Sequence, residues 1–136
     1  MDVAEMKSRL AAAEVAHLAT VGDGDRPHLV PVCFVLADDR LYFAVDAKPK
    51  RTRDLKRLRN IADNPAVSVL VDHYEDDWSK LWWVRVDGTA RKVGDSAEAG
   101  RAIELLMARY PQYRAARPAG PVVAISIERL SGWTGS

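Results

Sequence analysis

Positions 48–59 read Lys-Pro-Lys-Arg-Thr-Arg-Asp-Leu-Lys-Arg-Leu-Arg, seven cations to one carboxylate, and hold seven of the chain's 20 Lys and Arg residues. Their placement matters more than their number. Thr52–Ala62 is predicted as a helix with Leu55, Leu58 and Ile61 on one side, so Lys48, Lys50 and Arg51 stand just before or at its N-terminus. The helix dipole is already positive there, and each added cation is disfavoured by ~0.3–1 kcal/mol. The first turn also leaves backbone N–H groups without acceptors. A bound anion removes both conflicts. Phosphate, meeting the N–H groups, the Thr52 hydroxyl and the charges of Lys50 and Arg51, is the natural partner. On the helix body, Arg53, Lys56, Arg57 and Arg59 read as a solvated basic face. A nucleic-acid patch would need basic surface spread more widely and a net positive domain.

Other reactive residue types are sparse. His17, His28 and His73 lack a metal-ligand spacing. His28 follows the Arg26-Pro27 turn into a strand, which makes it the histidine to consider as a ring contact. Glu75, Asp76 and Asp77 read as an exposed acidic loop. The one cysteine, Cys33, lies in an apolar run and reads as a buried, inert thiol. It excludes an internal disulfide framework and a cysteine-based metal cluster. No nucleophile motif and no glycine-rich phosphate loop occurs. Trp78, Trp82 and Trp83 cluster. Trp82 and Trp83 are neighbours on a predicted strand, so one enters the core while the other lines a surface groove. Trp83 or Trp78 is placed to stack near a planar ring.

The elements that position these residues follow from pattern. Asp2 can cap a first helix, about Val3–Glu14, with Glu5 three residues on as a capping box requires. Strands are predicted over Ala16–Val21, His28–Leu36, Leu41–Asp46, Ala66–Asp72, Leu81–Val93 and Pro121–Ile127. Pro31 cannot donate to a ladder, so its strand lies at an edge or is bulged. Gly88 marks a bulge or a close backbone approach. A third helix, about Ser96–Tyr110, starts at Asp95 with Glu98 three on, and Trp133 falls in a short tail. Six mostly antiparallel strands and three helices make an α+β, mainly β chain. Closing that sheet into a barrel with flanking helices is the economical way to hide its edges.

The 136 residues suit one domain, taken as 1–136. Apolar residues make up 48%, ordinary for a soluble globular domain. The net charge of +1 gives no overall field favouring nucleic acid or membrane. The polar N-terminus precedes no apolar secretion core, and no segment approaches the ~20 apolar residues of a membrane helix. A cytoplasmic protein is expected.

The stretch Leu41–Leu55, LYFAVDAKPKRTRDL, resembles the strand–loop–helix of the pyridoxamine-phosphate-oxidase-like split-barrel family. Trp82–Gly88, WWVRVDG, resembles that family's long strand. Gly22–Val32 resembles its second-strand entry, and Leu130–Trp133 its C-terminal end. The likeness runs in order along nearly the whole chain. It implies an FMN-binding type of split barrel working as a homodimer. It implies that Lys50 and Arg51, with Thr52, grip a cofactor phosphate, flanked by Lys48 and Lys56. It places Pro31 and Val32, with Ala44 and Val45, along the ring, and Trp83 near it.

Within the family the chain looks most like the small deazaflavin-dependent proteins of actinobacteria. Ala44, Val45 and Trp83 replace polar residues of the pyridoxamine-phosphate oxidase pattern. That puts FMN-dependent pyridoxamine-phosphate oxidation in doubt, and Arg53, Lys56, Arg57 and Arg59 could supply cations for the carboxylate tail that F420 has and FMN lacks. The expected activity is hydride transfer from reduced coenzyme F420 to a planar conjugated small molecule, without a metal. FMN is the alternative cofactor, on an oxidase or reductase of the same fold. A non-catalytic cofactor carrier is the third reading. Such hydride transfer strictly requires no protein acid or base.

Overall fold

Period-two alternation shapes the sheet. In β5 (Ala66–His73), Val67, Val69 and Val71 are buried while Ala66 and Asp72 are exposed. β1 (Ala16–Val21) alternates in the same way, with Ala16, Leu18 and Thr20 turned inward. The computed structural model describes residues 1–45 and 52–136, with only the backbone of 52–55. Its other strands are β2 (Pro27–Val32), β3 (Val35–Ala37), β4 (Arg40–Ala44), β6 (Trp82–Lys92) and β7 (Val122–Thr134). The seven strands form one sheet in the order β2-β1-β5-β6-β7-β4-β3, and every pairing is antiparallel.

Connectivity forces that sheet to curl. β2 and β3 are its two edges, yet only Cys33 and Phe34 separate them. Laid flat, six inter-strand spacings would hold the edges ~29 Å apart. The link from Val32 to Val35 spans at most ~10 Å. The edges therefore meet at one corner, with no ladder between β2 and β3 among the described residues. The result is a curled, open half-barrel. Pro31 lies on an edge strand, where a missing N–H costs least.

The structure corrects the predicted count of six strands and three helices. The expected strand His28–Leu36 divides into β2 and β3, because the chain changes edges at Cys33-Phe34. Besides α1 (Val3–Ala12), α2 (Thr52–Asp63) and α3 (Ser96–Arg109), a short α4 (Pro111–Ala115) forms in the expected loop, with proline at its first position. The last strand does not stop at Ile127. It runs to Thr134, and its second half pairs with Trp82–Asp87 of β6, so Trp133 is a strand residue opposite Trp83. No helix among the described residues is long and apolar enough to cross a membrane.

The core fills the curl. Phe34, Phe43, Leu18, Leu41, Val84, Val86 and Ile125 are essentially fully buried. Each large apolar side chain contributes ~1.5–3 kcal/mol relative to exposure. Met6 and Leu10 of α1 pack into this cluster, as do Leu58 and Ile61 of α2. On the outer face, α3 covers β4 and β7: Ala102 packs with Tyr42, Val122 and Ala124. Glu98 does not close the expected capping box at Asp95. It is 8% exposed and accepts from Tyr42 Oη at 2.7 Å, Arg91 Nη2 at 2.9 Å and Arg40 Nη1 at 3.1 Å. The helix is instead capped by Asp95, whose Oδ1 accepts from Ala97 N at 3.0 Å. At Gly88 the register shifts. A Cβ there would stand 2.2 Å from Ser126 O, so β6 and β7 approach at a spacing only glycine allows.

Candidate functional site

α2 begins at Thr52, as the sequence predicts, so the basic run does lead into a helix. Lys48, Lys50 and Arg51 lie outside the described residues, and only the backbone of Thr52 is within them. The described half of the run is more informative. Lys56 and Arg59 are three apart on α2 and line one cleft with Asn60. The opposite wall is the turn after β1, contributed by Gly22, Asp23, Arg26, Pro27 and His28, and the cleft holds about 460 Å3. Asn60 fixes the floor. It is 5% exposed, and its Nδ2 donates to Thr20 Oγ1 at 3.2 Å. His28 titrates below the usual histidine range. Burial is the main cause, and the charges of Lys56 and Arg57 add to it.

Among the described residues, no helix covers the outer face of β2, β1, β5 and β6, and a groove of about 630 Å3 lies there. It is lined by His17, Ala19, Leu29, Ser68, Leu70, Asp72, Tyr74, Trp83 and Arg85. Leu29 is 67% and Tyr74 62% exposed, unusual for side chains of that size. The Arg85 guanidinium lies over the Trp83 ring, 5.9 Å from its centroid, and Nε donates to Asp87 at 3.2 Å. A shallower depression shares Ala19 and Ser68 with this groove and Pro27 with the basic cleft. The aromatic groove and the cationic cleft therefore lie near one another, with this depression between them.

The residues expected beside a ring are on β2 and β4. Pro31 is exposed on the outer side of β2, and Ala44 is half-buried on β4. Val32 and Val45 turn into the core, 7% and 2% exposed, so what they present outward is backbone. β3 pairs with β4 as far as Val35 opposite Tyr42. Ala44 and Val45 continue the chain beyond that last pair, and Pro31 and Val32 precede the corner on β2. Trp82 packs on the core, with the Arg9 guanidinium 4.8 Å from its ring centroid, while Trp83 faces the groove. Trp78 is 76% exposed and lies outside the groove.

Sequence reasoning missed Leu29 and Tyr74 as groove residues and Arg26 as a residue of the basic cleft. Strand alternation could have put Leu29 on the outer face. Nothing in the sequence says which helix the Gly22–Arg26 turn meets.

The pyridoxamine 5'-phosphate oxidase family model matches residues 3–134. The chain belongs to that family. The curled antiparallel sheet fits the flavin-binding split barrel of that family. No curated protein matches the chain. Among solved structures, a conserved hypothetical protein of Mycobacterium tuberculosis is 22% identical, with a TM-score of 0.82 over 99% of this chain and 86% of that one. An FAD-binding protein of Mesorhizobium loti is 25% identical, with a TM-score of 0.74 over 97% and 94%. An FAD-binding protein of Mycobacterium smegmatis is 19% identical, with a TM-score of 0.66 over 98% and 94%.

Proposed function

We propose that this chain is a flavin-dependent oxidoreductase that takes FMN or a related phosphate-bearing flavin. The observation that carries this reading is an aromatic groove at Trp83 and Tyr74 close to a cationic cleft at Lys56, with a depression that shares lining residues with both. The pair matches a planar ring with an anionic group. The names of the two FAD-binding relatives support a flavin. Lys50 and Arg51 bind the phosphate with the Thr52 hydroxyl, and Lys48 and Lys56 add charge around it. Pro31 and Ala44, with the backbone of Val32 and Val45, border the ring. Trp83 and its neighbours keep the groove apolar and exclude water.

When bound, a flavin supplies the hydride chemistry of its ring. The chain's task is to hold that ring against a small planar acceptor. We further propose that the protein is a homodimer, with Leu29, Leu70 and Trp83 covered by a second copy. Coenzyme F420 is the second reading. Lys56 and Arg59 favour it, because they offer charge beyond a first phosphate.

The test is the absorption spectrum of the purified protein, followed by titration with FMN and F420. FMN should bind and F420 more weakly. Replacing Lys50 and Arg51 together by Ala should weaken FMN binding about a hundredfold or more, since each charge-assisted phosphate contact contributes ~1.5–3 kcal/mol. F420 binding without FMN binding selects the second reading. An unchanged affinity in the double variant removes this segment from the site. Bound cofactor without turnover of any acceptor marks a carrier.

A further inference from the structure

The basic cleft has more positive charge than its surroundings satisfy. Arg26, Lys56 and Arg59 line it from two elements, and Asp23 is the one carboxylate among the described lining residues. Among the described residues, none of the three cations has a carboxylate within 4.0 Å. Lys56 and Arg59 are neighbours on one helix face, where like charges repel. Burial lowers the titration of His28, and the charges of Lys56 and Arg57 add to it.

The cleft is also built. Asn60 ties α2 to Thr20 of β1. Gly22 N donates to Arg26 O at 2.8 Å and closes the turn that carries Arg26. A Cβ at Gly22 would come within 3.3 Å of Asn60 Oδ1, so the turn seats closely on the helix. The cations therefore surround a fixed floor.

We propose that this cleft is a second anion subsite, which takes a phosphate or carboxylate group carried beyond the ligand's first phosphate. The inference rests on the flavin reading for the identity of the ligand, and on the cleft alone for the anion. FMN has no such second group. The diphosphate of FAD and the carboxylate tail of F420 each have one. Arg26 and Arg59 hold it by charge-assisted hydrogen bonds from the two walls. The subsite then decides between cofactors that share a ring.

The experiment is calorimetric titration of the full-length apoprotein and of the Arg26→Gln/Arg59→Gln variant. The ligands are FMN, FAD, F420 and inorganic pyrophosphate. Both substitutions are on exposed side chains, and an unchanged thermal midpoint verifies the fold. At low salt the variant should bind FAD or F420 about tenfold more weakly, a change of ~1.4 kcal/mol. It should lose pyrophosphate binding and hold FMN within about twofold. The loss should shrink at high salt, where screening falls to a few ångströms. Loss confined to FAD identifies the diphosphate as the occupant, and loss confined to F420 identifies the tail. Equal weakening of FMN, or no change with any ligand, overturns the subsite. If the wild-type protein binds no flavin or deazaflavin, the proposed function fails. Pyrophosphate then decides the subsite alone: binding lost in the variant upholds it, and no binding to the wild type overturns it.

Discussion

Glu98 shows how one side chain can change role between sequence and structure. Its position three residues after Asp95 marks it for a capping box, yet it faces the sheet and takes three donors. The hydrogen bond from Arg91 is the main cause that holds its carboxyl below the ordinary range, followed by that from Tyr42. A carboxylate with a depressed folded pKa contributes stability that is fully present above its unfolded pKa. That contribution disappears as pH falls through the folded value. Glu98→Gln should therefore lower the denaturation midpoint at neutral pH and lose little further in acid. The cost should be ~1–3 kcal/mol, because the partner arginines remain in reach of water. Urea titrations of both proteins between neutral pH and pH 3 test this. Parallel pH profiles would show that the carboxylate charge contributes nothing.

At the scale of elements, the corner between β2 and β3 holds the curled sheet. The Tyr110 hydroxyl at the end of α3 lies 2.7 Å from Glu14 O and 2.9 Å from Phe34 O, and it accepts from Phe34 N at 3.1 Å. Arg109 adds a bond to Phe34 O at 3.2 Å and another to Ala13 O. These two side chains join the end of α1, the corner and α3. Tyr110→Phe keeps the ring and leaves the Phe34 N–H without that acceptor in a buried place, at a cost of ~1–3 kcal/mol. Amide hydrogen exchange should quicken at the corner more than in β5 and β6. Uniform exchange in the variant would mean that the hydroxyl does not hold the corner. The basic run gave the helix and the charge ahead of it. Where the corner latched was not legible, because Tyr110 is 76 residues from Phe34.

At the scale of the molecule, the helices are unevenly shared. α3 covers β4 and β7, while the face carrying Leu29, Leu70 and Trp83 has no cover among the described residues. Exposed apolar side chains in one contiguous groove are the mark of an association surface. Leu29→Arg would put a charge in the middle of that face without entering the core. Sedimentation at micromolar concentration should show a dimer for the wild type and a monomer for the variant. The thermal midpoint should stay within a few degrees, apart from what dimer formation adds. A dimer that survives the substitution would place the interface elsewhere.

Local pattern alone was enough for several features. Asp2 caps α1, and Glu5 N donates to it at 2.8 Å. Thr52 starts α2, Pro31 sits on an edge, and Gly88 marks the shift between β6 and β7. Each depends on groups within a few residues, or on a backbone property that glycine or proline carries anywhere. The ring-side residues Pro31, Val32, Ala44 and Val45 came from family likeness, and the sequence did not show that two of them turn inward. The split of one expected strand into two edges, the reach of β7 to Thr134, and the meeting of Arg26 with Lys56 and Arg59 were decided only by the tertiary structure. All three depend on which strands become neighbours when the sheet curls. That choice is made by burial summed over the whole core, and no short window of sequence contains it.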